Sequence, residues 1–254
     1  MVGTGNVDER TLGPNLQRIK LMRVTILQPS YLPWLGFFEQ MSRSDKFVLL
    51  DDVQYTRRDW RNRNKLRVKE GWAWLTVPVL QKNLFSQSLL ETRIDNSVSW
   101  RRKHLQSLRQ HYCKSPFFEN YFPLCEQLYE RDWTFLFDLC QETIYLLKEE
   151  LGIDTPLFRS SEIKTSGAKT ERLLSICREL DATHYLSGES ASDYISEKDF
   201  SNQGIALEYQ HYDHPVYPQR YPGFIPHLSA IDLLFNCGKQ SLGILKQTEA
   251  IRCS

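Results

Sequence analysis

The sequence predicts an α/β fold: a Rossmann-like, mostly parallel sheet with a β-hairpin excursion and a helical insertion. Three observations predict it. Short apolar, β-branched runs alternate with segments of helical period at both ends of the chain, as in successive βα units. Residues 57–80 break that rhythm with a period of two, and residues 99–152 break it again with an unbroken helical pattern.

Residues 1–22 carry Gly3, Gly5, Gly13 and Pro14 without an apolar period; they read as a loose leader, with Met22 as a candidate natural start. A single α/β domain is expected over 23–254. Arg23–Leu27 is a buried strand stopped by Gln28-Pro29. Trp34, Phe37, Phe38 and Met41 follow at helical spacing, with Pro33 beside the first turn. Lys46–Leu50 is a second buried strand, ending at Asp51-Asp52. Trp72, Trp74, Thr76 and Pro78 alternate with Ala73, Leu75, Val77 and Val79, which predicts a strand or hairpin.

From Trp100 the period is helical. Ser115-Pro116 and Arg131-Asp132 divide the block into two or three helices, and Gly152 closes it as a C-cap. The α/β rhythm then returns. Strands are expected at Leu157–Ile163, Thr183–Leu186 and Ile205–Tyr209, and helices at Lys169–Leu180 and His227–Asn236.

Composition narrows the function classes. Of 254 residues, 41% are apolar and 25% charged, ordinary globular usage that excludes wholesale disorder. The net charge of +1 argues against a dedicated nucleic-acid protein, so no nucleic-acid partner is expected and any anion site must be local. No apolar run is long enough to span a bilayer and no secretory signal is visible, so no membrane insertion is expected. Six cysteines without a CxxC pair indicate neither a zinc site nor a disulfide scaffold; no metal ligands are assigned, and reduced thiols in the cytoplasm are expected. The oligomeric state has no signal.

In parallel sheets ligands collect outside the strand C-termini, and four candidate segments lie there. Gln28 and Tyr31 sit in the loop entering the first helix, whose free N–H groups suit phosphate or carboxylate, and Gly36 allows close backbone approach. Trp34, Phe37 and Phe38 read as core anchors. Asp51 and Asp52 are the catalytic candidates, as a general base or Mg²⁺ ligands, against the plainer reading of a solvated helix-capping turn; Gln54 and Tyr55 follow them. Seven of the thirteen residues 57–69 are basic, and Trp60, Trp72 and Trp74 lie near them. Arg61, Arg63 and Lys65, with Asn62 and Asn64, can grip a pyrophosphate beside a stacking surface; the alternative is a solvated hairpin. Ser187, Gly188 and Ser190 follow a strand where a nest could hold phosphate oxygens, or form a plain helix cap. His211, His214 and His227 form a fifth group; His211 and His214, three apart, are a candidate metal or acid/base pair, but with no third ligand the group reads mainly as hydrogen-bonded loop residues.

These residues carry a resemblance. Gln28-Pro29-Ser30-Tyr31-Leu32-Pro33-Trp34-Leu35-Gly36-Phe37-Phe38, Leu50-Asp51-Asp52-Val53-Gln54-Tyr55, Asn62-Arg63-Asn64-Lys65, Trp74–Val79, Tyr185-Leu186-Ser187-Gly188 and Leu228–Asn236 resemble the WbqC-like family over about 23–243. The resemblance implies a place in bacterial surface-polysaccharide (O-antigen) synthesis. It implies a transferase or ligase that forms an amide on a nucleotide-linked amino sugar, with ATP and Mg as candidate cofactors. A non-catalytic nucleotide-sugar-binding module is the alternative. Trp34-Leu35-Gly36-Phe37 is also remotely similar to the His-x-Gly-His motif of HIGH-type nucleotidyltransferases. It keeps the glycine and lacks both histidines, so that family's charge stabilisation is missing.

Overall fold

The computed structural model describes residues 21–57, 59–81, 86–189 and 195–247. Five strands, β1 (Arg23–Leu27), β2 (Lys46–Leu49), β5 (Leu157–Arg159), β6 (His184–Ser187) and β7 (Ala206–Tyr209), form one sheet in the order β5-β2-β1-β6-β7, every pair parallel. Counting sheet strands alone, this is the doubly wound order 3-2-1-4-5, with the reversal between β1 and β6. Apolar groups fill both faces. Val24, Ile26 and Val48 pack on one side with Ile176 and Cys177 of α5 (Thr170–Glu179) and with Phe200 of α6 (Glu197–Ser201). Phe47 and Leu49 pack on the other with α1 (Leu35–Ser42) and the helical block. The period-two alternation within each strand sorts these two sets.

The hairpin is β3 (Arg63–Arg67) with β4 (Trp72–Thr76), antiparallel and separate from the main sheet. The helical insertion is α2 (Trp100–Tyr112), α3 (Phe118–Glu130) and α4 (Leu136–Glu150), ending at Gly152 with φ +71°. A residue without Cβ turns the chain back there without strain. The C-terminal helices are α7 (Ala230–Cys237) and α8 (Ser241–Leu245).

Two expected elements are shorter than their sequence pattern. The strand expected over Leu157–Ile163 stops at Arg159, because Ser161 turns its N–H onto the Asp51 carboxylate and winds residues 160–162 into a single 3-10 turn. The helix expected from His227 begins at Ala230. Pro226 precedes it, His227 holds φ +58°, and Ser229 caps by accepting the Ile231 N–H. The expected leader falls, apart from Leu21 and Met22, outside the described residues. No helix among the described residues is long and apolar enough to cross a membrane.

Candidate functional site

The C-terminal rim of the sheet carries two polar regions. One is a cavity of about 440 Å³ at the reversal between β1 and β6, where ligands of doubly wound sheets bind. The loop after β1 forms its floor. Far segments fix that loop: Arg61 O accepts the Tyr31 N–H (3.1 Å), Leu32 O accepts from Asn64 Nδ2 (2.6 Å), and Pro33 O accepts the Ala230 N–H (2.9 Å). Next, Trp34 folds back over the start of α1. A Cβ placed on Gly36 would lie 2.2 Å from the indole, so only glycine fits there. The sequence suggests close backbone approach at Gly36; the approaching group is the indole of Trp34, which lines the cavity together with Gly36.

Carboxamides dominate the polar lining. Gln28, Gln40 and Gln210 all face the cavity. Gln210 Nε2 donates to Gly36 O (2.8 Å) and to the Glu39 carboxylate, which also pairs with Arg43 at 3.2 Å. Gln40 is 1% exposed, yet its Nε2 has no hydrogen-bond partner among the described residues. A buried donor left without an acceptor costs about 1–3 kcal/mol, which makes this amide the lining group to test for a ligand contact. Gly188, at the end of β6, faces it; a Cβ there would sit 3.7 Å from Gln40 Nε2. At the first turn of α1 the Phe37 N–H is taken up by Trp34 O (3.1 Å), and the N-terminal end of the helix gives this corner positive character.

Arg61 supplies the fixed charge. Its Nη1 donates to Gln28 O (3.1 Å), and Asp59 lies 3.5 Å from its Nε, so the guanidinium is held at the wall. Trp60, Tyr212 and His227 complete the mouth. Burial, assisted by the Lys65 charge, pushes the His227 imidazole below its usual range, so it is neutral at pH 7.

The second region lies at the ends of β2 and β5. Asp51 is fully buried and accepts from Ser160 Oγ (2.9 Å), Ser161 N (2.9 Å), Ser161 Oγ (2.7 Å) and Arg159 Nε (2.9 Å). Burial alone would raise its carboxyl; the bonds from Ser161, Arg159 and Ser160 outweigh that and hold it below the ordinary range. Asp52 lies 2.7 Å from the same Ser160 Oγ, whose single proton the two carboxylates share, and pairs with Arg172. Neither aspartate is among the residues lining the cavity, and their oxygens already carry donors, an arrangement that does not fit a magnesium ion. Among the described residues no group of three or more acidic, histidine or cysteine side chains is arranged to hold a metal.

The other sequence candidates divide cleanly. Gln28, Arg61 and Gly188 meet at the cavity. Tyr31 is fully buried, with its hydroxyl on His104 Nδ1 (2.9 Å) and on Tyr129. Asn62 and Asn64 point inward and bond to main-chain carbonyls of Val77 and Leu32. Gln54 bridges to Ser88, Tyr55 is buried, and Ser187 lies within β6. Arg63 and Lys65 lie on the outer hairpin face against tryptophans. Ser190 lies outside the described residues. Sequence reasoning missed Gln40 and Gln210. The available signals were a polar Glu39-Gln40 pair in an otherwise apolar helix, and a glutamine just past β7, the same position Gln28 holds past β1.

The WbqC-like protein family model matches residues 28–244, so it takes in both polar regions and the hairpin. Over 228 residues, covering 89% of this chain and 98% of the relative, the chain is 36% identical to the uncharacterized protein Rv1507c of Mycobacterium tuberculosis (strain ATCC 25618 / H37Rv). No solved structure matches. With the matched span reaching from the cavity floor at Gln28 through the last helices, this chain belongs to the WbqC-like family.

Proposed function

We propose that the chain binds a phosphate-bearing small molecule, a nucleotide-linked amino sugar, in the cavity between β1 and β6. There it forms an amide on the sugar amine in bacterial surface-polysaccharide (O-antigen) synthesis. One observation carries the reading: the buried Gln40 amide, which has no hydrogen-bond partner among the described residues and lines the same cavity as Arg61, is a donor suited to an anionic oxygen. In this scheme the amine nitrogen attacks the acyl carbonyl carbon and releases a proton to the neutral His227 imidazole. The imidazole returns that proton to the departing group. Asp51 and Asp52 act at a distance, bracing the rim.

The engaged aspartates, and Trp34 and Phe37 in place of nucleotidyltransferase histidines, favour a second reading, a binding module without turnover. Two measurements separate them. Calorimetry with UDP-, GDP- and dTDP-linked amino sugars tests binding, and Q40L is expected to weaken it about tenfold. Mass spectrometry of the same sugars with acyl donors, with and without ATP, tests turnover. Binding without mass gain across the panel selects the module, and no binding at all defeats both readings.

A further inference from the structure

The outer face of the β3–β4 hairpin has no role in the cavity scheme. Lys65 stands opposite Trp74, so these two share one face with Arg63 and Trp72; Arg67, opposite Trp72, is buried at the far end with its guanidinium on main-chain carbonyls of Val68, Gly71, Pro222 and Gly223. Asn64, Leu66 and Leu75 point the other way and are buried. Trp60 meets Trp74 at 5.3 Å between ring centroids, and Trp74 meets Trp72 at 5.2 Å, forming a continuous aromatic strip. Trp60 is 40% exposed and Trp72 42%. Trp60 also lines the cavity, so the strip starts at its mouth and runs outward.

Two cations ride on the strip. Lys65 Nζ lies 4.4 Å from the Trp72 ring, 5.4 Å from Trp60 and 5.5 Å from Trp74, while the Arg63 guanidinium lies 4.2 Å from Trp74. A lysine held by three indole faces has given up most of its rotamer freedom, so an anion meeting it orders little more. Large rigid rings, two of them about two-fifths exposed and Trp74 partly so, beside preset positive charge, suit a partner with one apolar face and a negative group. A sugar ring next to a phosphate is such a partner, because its C–H face covers an indole while its hydroxyls stay hydrated.

We propose that this face is a saccharide subsite: the sugar end of the phosphate-bearing ligand stacks on Trp60 and Trp74, and its hydroxyls accept from Lys65 and Arg63. The proposal rests on the cavity's taking the phosphate-bearing part. An anionic lipid surface is the competing partner for tryptophans beside basic residues.

The test compares UDP with UDP-N-acetylglucosamine by calorimetry on the full chain. The wild type is expected to bind the sugar-bearing ligand about tenfold more tightly than UDP. W74A should bring that ratio to about one with UDP affinity unchanged, and W74F should restore most of it. Circular dichroism confirms that each variant is folded, and W74L is the fallback if W74A is not. An unchanged ratio in folded W74A or W74L overturns the subsite. So does a wild-type ratio of one, or phosphatidylglycerol vesicle binding that W72F weakens while the ratio stays put. If wild type binds neither UDP nor UDP-N-acetylglucosamine, nor their GDP and dTDP counterparts, the cavity reading falls together with this one.

Discussion

The sheet's two polar rims hold similar residue types and solve opposite problems. At the β2–β5 rim, Asp51 and Asp52 meet two arginines and two serines, and the acidic oxygens are saturated from within. At the β1–β6 rim, the Gln40 amide is as deeply buried and has no acceptor among the described residues. A cluster whose bonds close internally contributes to stability, and one left open is shaped for something else. The paired carboxylates look the more chemical in sequence, yet the quieter glutamines border the empty volume.

The sharpest way to break this contrast is to delete one member of each cluster. D51A strands Arg159 and the two serines, and is expected to cost about 3–5 kcal/mol in urea-denaturation stability. Ligand affinity per folded molecule should hold. If D51A abolishes binding or turnover in protein that is still folded, the two rims are one site. Next in size is the histidine behind the loop. Burial lowers the His104 imidazole to about 4, against an ordinary 6.5, despite its contact with Thr76 O. A depressed histidine takes up fewer protons folded than unfolded. Its contribution is therefore complete above pH 6.5 and is lost as pH falls toward 4, about 3 kcal/mol in all. H104Q should flatten that acid slope in denaturant midpoints measured from pH 7 to 4.

G36A follows. The new methyl must displace the Trp34 indole, an overpacking cost of about 1–3 kcal/mol, and tryptophan emission should shift as the cavity wall moves. Emission identical to wild type would mean that the indole has another resting place. The smallest effect is Q40M: removing an unsatisfied donor should leave stability unchanged or raise it by about 1 kcal/mol, opposite in sign to D51A. A loss of several kcal/mol would place Gln40 in the same class as Asp51.

The fold was largely legible because its signals are local. β1, the hairpin and the three-helix block follow from runs and periods within ten or fifteen residues, and Gln28, Arg61 and Gly188 each sit just past or beside such an element. The site was legible only where position, rather than partnership, decides the role. Asp51 finds Ser160 109 positions away, and Tyr31 finds Tyr129 98 away; no spacing rule reports such pairings. Asn64 is a partial exception. The alternation of β3 puts it on the side of Leu66, opposite Lys65, and that already marks it as inward-facing.

The crossover from β2 to β5 has a consequence for the growing chain. Phe47 pairs with Leu157, so the whole hairpin and helical block must be made before that edge is covered. Until then β2 presents a bare row of amide and carbonyl groups, a template for another nascent strand. A fragment released short of residue 157 is expected to self-associate, whereas one carrying β5 and the Asp51 brace shields that edge.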